Sequence, residues 1–365
     1  PGLTRGRYQL LDVANDLAVG RNEQAPYFSE AELAEGVTLR TPKEFGVSAY
    51  LIFPYSPARI AKAQYEERTR QEYHQRGSYT KLDARRQTAG EMRGGAGTDA
   101  EGRFLLFVEN REQAVFVAPG WGGRIVSWGV KGAHPVRVVG AEDRYAGAAL
   151  DLFWVPPQAH WGGDEISPYR IDSWGVTEER AWLRLTRLLS HPALRGLRLQ
   201  KEISIAPGQT QVEVTVKVEN TSKQALTLSY WAHSVPLLQP EVLPAGEPLR
   251  ASRGLQLELP QPGGILRVRT DLADALFAAP GAPYSAPENE PFEKQARVGE
   301  FQSEWAALVR SDKNLTLKAY FDPKEVLQVY SWRNGTVTLE WMYRPVILAP
   351  DGAWQTRYRL VYGLP

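Results

Sequence analysis

Hydrophobic and polar residues alternate along most of the chain after residue 102, which is typical of β-strands with one buried face. The clearest case is QVEVTVKVEN (211–220), where four valines alternate with charged or hydroxyl residues. Because turn sequences join such segments and helical periodicity is scarce, the pattern predicts a mainly β fold, a large antiparallel β-sandwich, over residues 103–365. Further strands are predicted at 104–110, 113–130, 181–189, 197–205, 226–238, 326–341 and 354–363.

The first hundred residues follow a different pattern. FGVSAYLIF (45–53) predicts a strand, and residues 56–73 predict a charged, exposed helix with Ser56 as N-cap and Pro57 in the first turn. The glycine-rich stretch 90–102 predicts a linker. We therefore expect an N-terminal accessory region at 1–100, with its helix able to contact a protein partner.

Composition narrows the function classes. The 365 residues contain 43 Lys and Arg against 42 Asp and Glu, a net charge of +1, which argues against nucleic-acid binding. No run of 18 apolar residues occurs, so no transmembrane segment is predicted. The absence of cysteine excludes disulfides and thiolate chemistry and leaves the compartment open. Since the chain begins at Pro1 rather than Met, an upstream segment is expected, and an extracytoplasmic location is slightly favoured.

The common catalytic signatures are missing from the sequence. There is no P-loop, dinucleotide fingerprint, HExxH or GxSxG, and the five histidines include no pair at i and i+4. We therefore predict neither a metal site nor a cofactor.

The strand predicted at 226–238 has two different faces. One face is apolar, whereas the other contains Trp231 and His233 among hydroxyl residues. Such a face suits a concave sheet surface that meets a polyhydroxylated ligand. The alternative is a solvent-facing strand whose tryptophan packs under a loop.

FWVPPQAHWGGDEISPYRIDSWG (153–175) is unusually rich in aromatic, polar, proline and glycine residues. Its tryptophans could stack on sugar rings, with hydrogen-bonding side chains beside them. The alternative is a covering loop whose tryptophans fill the end of the sandwich. The candidate ligand contacts in this stretch are Trp154, Gln158, His160, Trp161 and Asp164.

Two segments resemble a known family. GWGGRIVSWGV (120–130) and the region 200–238, with its Trp-x-His strand, resemble the galactose mutarotase-like β-sandwich proteins. The stretch 153–175 is similar to an element of a bacterial branch labelled DUF4380. Over residues 104–363 the resemblance implies a mutarotase-like supersandwich and carbohydrate recognition.

The resemblance also implies an acid and a base. His233 matches the histidine that protonates the ring oxygen in aldose 1-epimerases. The resemblance places the base in a Pro-Gly-Glu turn near the C-terminus, but the corresponding stretch 347–358 has Ala353 there. Glu340 or Asp164 would then be a relocated base.

Three hypotheses follow. The first is a carbohydrate-recognising protein without assigned catalysis. The second is a sugar epimerase or lyase that uses His233 with a relocated carboxylate, and the third is a structural subunit of a cell-envelope assembly that docks through residues 1–100. The predicted carbohydrate site comprises Arg124, Trp154, Gln158, His160, Trp161, Asp164, Trp231 and His233, with His233 and Glu340 as candidate catalytic residues.

Overall fold

The fold is known from a computed structural model, in which the N-terminal strands are described by their backbone alone. The structure describes residues 8–12, 17–22, 37–39, 50–54, 87–98, 104–130, 147–154, 167–189, 191–236, 254–261, 263–270, 272, 275–278, 295–299, 304–311, 315–332 and 337–363. The predicted helix at 56–73 lies outside these residues, as does the turn at Asn334.

The N-terminal region contains an antiparallel sheet in the order β2-β1-β4-β3. Its strands are β1 (Tyr8–Asp12), β2 (Leu17–Asn22), β3 (Val37–Leu39) and β4 (Tyr50–Pro54). The strand predicted at 45–53 overlaps β4, which begins five residues later and ends one residue later.

A second sheet, here called the site sheet, contains the candidate catalytic residues. Its order is β19 (Gln295–Gly299), β18 (Ala275–Ala278), β22 (Val326–Trp332), β23 (Leu339–Tyr343), β15 (Leu226–Val235), β10 (Gly147–Trp154), β9 (Arg124–Val130), β8 (Gln113–Ala118), β7 (Phe104–Glu109), β6 (Met92–Thr98) and β5 (Gln87–Ala89), with β24 (Val346–Leu348) also beside β15. Among these described strands the pairing is antiparallel except between β18 and β19.

A third sheet, the facing sheet, packs on one side of the site sheet. Its order is β11 (Arg170–Val176), β12 (Ala181–Leu188), β13 (Leu197–Ile205), β14 (Gln211–Asn220), β25 (Ala353–Gly363), β21 (Leu315–Tyr320), β20 (Trp305–Arg310), β16 (Leu255–Gln261) and β17 (Gly264–Arg269). A 3-10 helix at Pro192–Leu194 lies between β12 and β13. All of the described pairings in this sheet are antiparallel.

The main core lies between these two sheets. Val212, Val214, Val216 and Val218 are fully buried there, and the residues between them are half-buried, so the period-2 prediction for β14 is confirmed. Aromatic pairs cross the interface, for example Trp341 with Tyr358 at a ring-centroid distance of 5.0 Å. The predicted fold class, a large antiparallel β-sandwich, is therefore confirmed.

The prediction of a linker at 90–102 is wrong for its central part. Residues 92–98 form β6, which pairs with β5 and β7 in the site sheet. Gly94 is closely packed, because a Cβ added there would lie 2.9 Å from Cγ2 of Val176 on the facing sheet. The division of the chain into a 1–100 region and a 103–365 domain stays a prediction.

Candidate functional site

His233 and Glu340 meet on the outer face of the site sheet, away from the main core. They are directly opposite each other on β15 and β23, and His233 Nε2 lies 3.4 Å from Glu340 Oε1. Only 3% of His233 and 2% of Glu340 is exposed. The structure thus places a histidine and a carboxylate, predicted separately from the sequence, in one buried pair.

Strand alternation explains why both side chains are on this face. In β15, Leu228, Tyr230 and Ala232 join the main core, which directs Trp231 and His233 to the opposite side. This confirms the two faces predicted for the strand. Trp231 and His233 are both buried on this outer face.

Arg124 contributes a buried positive charge near the pair. It begins β9, is 1% exposed, and its Nε donates a hydrogen bond to the Trp121 carbonyl oxygen at 2.9 Å. The guanidinium also lies 5.4 Å from the Trp121 ring centroid. Its position is thus set by the turn that precedes β9.

Burial, and then the charge of Arg124, lower the pKa of His233 to about 3. The imidazole is therefore neutral at neutral pH. In its Nε2–H tautomer it is a hydrogen-bond donor directed toward Glu340. The pair is consequently a neutral donor beside a carboxyl group rather than an ion pair.

An aromatic and aliphatic wall lies next to the pair. Trp231 and Tyr330 meet edge to face, with ring centroids 5.7 Å apart and an interplanar angle of 89°. Leu152 and Met342 pack with them in a small cluster separate from the main core. Such a wall beside polar groups is typical of sites that bind amphipathic ligands.

Gln328 is a site residue that the sequence analysis missed. It lies on β22, directly opposite Met342 of β23. Tyr330, two residues further along β22, is opposite Glu340. The side chain of Gln328 is fully buried, and neither amide atom has a hydrogen-bond partner in the part of the chain that the structure describes. A buried amide of this kind can both donate to and accept from a ligand hydroxyl.

Several predicted site residues fall outside the described structure. These are Gln158, His160, Trp161, Asp164 and the side chain of Trp154. The backbone of Trp154 ends β10, where it pairs with Ser229 of β15, two residues before Trp231. The proposed role of residues 155–166 as a ligand-facing wall therefore stays a prediction.

Ala353 is not on the site sheet. It is exposed at the start of β25, on the facing sheet. The base position that the resemblance placed at this turn therefore does not correspond to the His233 site. Glu340 is the carboxyl group that the structure brings to His233.

A second polar cluster lies on the inner side of the site sheet. Asp151 of β10 accepts hydrogen bonds from the hydroxyls of Tyr169 and Tyr230, the latter at 2.6 Å. Lys201 of β13 contributes its ammonium group, 2.5 Å from Asp151 Oδ2. Lys201 shares one face of β13 with Leu199 and Ile203. A lysine at a position where the alternation requires an apolar residue is the sequence feature that indicates this cluster.

The described residues contain neither a candidate metal centre nor a candidate membrane-spanning helix. Within them, no group of three or more His, Cys, Asp or Glu side chains is arranged to hold a metal ion. In the same part of the chain, no helix is long and apolar enough to cross a membrane.

These features define the class of the protein, a large two-sheet antiparallel β-sandwich with a buried polar pair on the outer face of one sheet. No protein-family model and no curated protein matches the chain. Solved structures similar to it include a galactose mutarotase-like protein from Clostridium acetobutylicum, at 10% identity over 74% of this chain and 98% of that one, with a TM-score of 0.47.

A galactose mutarotase related enzyme from Lactobacillus acidophilus is similar at 12% identity, covering 71% of this chain and 97% of that one, with a TM-score of 0.48. The Slr1438 protein from Synechocystis sp. PCC 6803 is similar at 13% identity, covering 72% and 96%, with a TM-score of 0.46. Two of these three neighbours are thus described as galactose mutarotase-like or mutarotase related, and all three are similar at low sequence identity.

Proposed function

We propose that the outer face of the site sheet binds a carbohydrate and that His233 and Glu340 interconvert its anomers. The observation that carries this proposal is the contact between His233 Nε2 and Glu340 Oε1 at 3.4 Å. The anomeric hydroxyl and the ring oxygen of a sugar are bonded to the same carbon. Groups that serve these two oxygens must therefore be close neighbours, as His233 and Glu340 are.

The neutral state of His233 assigns the roles. A neutral imidazole donates a hydrogen bond but is a poor proton source, so proton transfer falls to Glu340. Glu340 takes the proton of the anomeric hydroxyl as the bond between the anomeric carbon and the ring oxygen breaks. The ring oxygen leaves with the bonding electron pair and receives that proton, while the His233 N–H and the charge of Arg124 stabilise it. Rotation of the open-chain aldehyde and reversal of these steps give the other anomer.

The remaining outer-face residues supply binding. Trp231 and Tyr330 offer aromatic surface to the apolar side of a sugar ring, and Gln328 offers an amide to its hydroxyls. The ligand contacts predicted at Trp154, Gln158, His160, Trp161 and Asp164 stay predictions. Membership of the DUF4380 branch, lyase chemistry and a docking role for residues 1–100 stay predictions.

The experiment follows anomer exchange of freshly dissolved single-anomer aldoses by NMR, with binding measured in parallel by tryptophan fluorescence. We expect Glu340→Gln to lower the rate by a factor of about 100 or more while sugars still bind. Gln328→Met is the companion variant, expected to weaken binding more than turnover. Full activity of Glu340→Gln would refute the catalytic role, and failure of all tested carbohydrates to bind would refute the proposed ligand class.

A further inference from the structure

Lys201 connects the two sheets of the sandwich directly behind the candidate site. It extends from β13 of the facing sheet, is completely buried, and contacts Asp151 on β10 of the site sheet. Its ammonium group also donates hydrogen bonds to the carbonyl oxygens of Ala149, at 2.6 Å, and Gly123, at 3.1 Å. One side chain therefore holds the backbone of two segments that are distant in sequence.

Both carbonyls belong to residues in the left-handed region of the backbone map. Gly123 has φ of 56° and Ala149 has φ of 57°. The conformation is uncommon for a residue with a Cβ, so Ala149 needs support from its surroundings. The hydrogen bonds from Lys201 supply that support.

Each of these residues immediately precedes a residue next to His233. Gly123 precedes Arg124, whose charge acts on His233, and Ala149 precedes Leu150, which is paired with His233 across the strands. The orientation of Arg124 and Leu150 therefore depends on the backbone to which Lys201 donates its hydrogen bonds.

The polar groups of the cluster are engaged with one another and with backbone carbonyls. Asp151 and Lys201 are 1% and 0% exposed, and the hydroxyls of Tyr169 and Tyr230 occupy the Asp151 carboxylate. Burial lowers the pKa of Lys201, while the Asp151 carboxylate opposes that shift. Two hydrogen bonds of this ammonium group go to the carbonyl oxygens just before Arg124 and Leu150, so its effect on the geometry of the site runs through that backbone.

We propose that Lys201 is a positioning residue, which sets Arg124 and Leu150 relative to His233 by holding the carbonyls of Gly123 and Ala149. The positioning concerns the geometry of the site and is measurable without a ligand. Its consequence for sugar binding rests on the proposed function.

The test uses the double variant Lys201→Met/Asp151→Leu. Removing both partners leaves no uncompensated buried charge, so we expect the variant to fold. With the carbonyls released, Arg124 moves away from His233, and the pKa of His233 followed by NMR rises by about one unit. Sugar affinity falls about tenfold. Leu199→Ala, a core truncation on the same strand, is the stability-matched control and is expected to leave the His233 titration unchanged.

Asp151→Asn distinguishes the effect of the hydrogen bonds from Lys201 to the two carbonyls from the effect of the Lys201–Asp151 ion pair. Without the Asp151 carboxylate, burial lowers the pKa of Lys201 further and favours the neutral amine, which carries no uncompensated charge. The neutral amine still has two N–H donors for the carbonyls of Gly123 and Ala149, so we expect an unchanged pKa of His233 even if the double variant does not fold. An equal rise in Asp151→Asn, or a folded double variant with the wild-type titration, would overturn the proposal. A shifted His233 titration without any sugar binding would support the positioning and refute only the ligand.

Discussion

His233 and Glu340 are 107 positions apart in the sequence and Tyr330 and Glu340 are 10 apart, yet all three lie on one rung of the site sheet. β23 lies between β15 and β22, so Glu340 is opposite His233 on one side and Tyr330 on the other. The carboxyl group is thus held between an imidazole and a phenol in a buried setting. The chemical environment of Glu340 is therefore set by His233 and Tyr330 on the two flanking strands.

Acid should destabilise the protein through His233. The pKa of His233 is about 3 in the folded chain and about 6.5 when unfolded, so the unfolded state binds the extra proton between these values. The free energy of unfolding therefore decreases as the pH falls from about 6.5 to about 3, by up to about 1.4 kcal/mol per pH unit. Urea unfolding measured across this range should show that the free energy of unfolding depends less steeply on pH in His233→Asn than in the wild type. His191→Asn is the control, and an equal change there would contradict the assignment.

Removal of Arg124 should raise the pKa of His233. Arg124→Met takes away a nearby positive charge and leaves the burial of His233 in place, so we expect a partial return toward the ordinary value. Loss of a charged hydrogen-bond donor should also weaken sugar binding by about tenfold or more. NMR titration and ligand-dependent fluorescence measure the two effects. Arg170→Met, on the facing sheet beside Asp172, should change neither.

The buried amide of Gln328 should lower the free energy of unfolding of the ligand-free protein, and a bound ligand should restore it. This amide has no hydrogen-bond partner in the described part of the chain, so Gln328→Met should raise the free energy of unfolding by about 1–2 kcal/mol. The same change should lower sugar affinity, because the ligand loses an amide partner. Chemical unfolding and binding titrations measure the two quantities.

Gln113 provides the matched control for Gln328. It is equally buried, but its Nε2 donates to the carbonyls of Gln209 and Gln211, and its Oε1 accepts from Trp128 at 2.7 Å. Gln113→Met should therefore destabilise the protein. If both variants shifted stability in the same direction, the distinction between a satisfied and an unsatisfied glutamine would be wrong.

The strands were predictable because burial on one face imposes a period of two. Residues 197–205 and 211–220 begin and end as β13 and β14 do. The glycine-rich β6 was not predictable, because its strand depends on pairing with β5 and β7 and not on its own side chains. Local composition indicates a linker there, and tertiary packing overrides it.

The site was predictable only in part. His233 and Trp231 stood out because polar and aromatic residues shared one face of an otherwise apolar strand. Gln328 did not, because a register shift between Val326 and Gln328 interrupts the alternation of β22. The contact between His233 and Glu340 depends on strand order, which no local pattern specifies.

Asn220 should be intolerant of a carboxylate. It ends β14 and is buried, and its Nδ2 donates to the carbonyl oxygens of Gln224, Leu348 and Ala349 at 2.6, 2.9 and 3.1 Å. Asn220→Asp would direct a carboxylate oxygen at these acceptors, so we expect a loss of about 2–4 kcal/mol in the free energy of unfolding. Gln211→Glu makes the same chemical change at a partly exposed position on the same strand and should be nearly neutral. Equal urea midpoints for the two variants would show that these three contacts do not hold the end of β14.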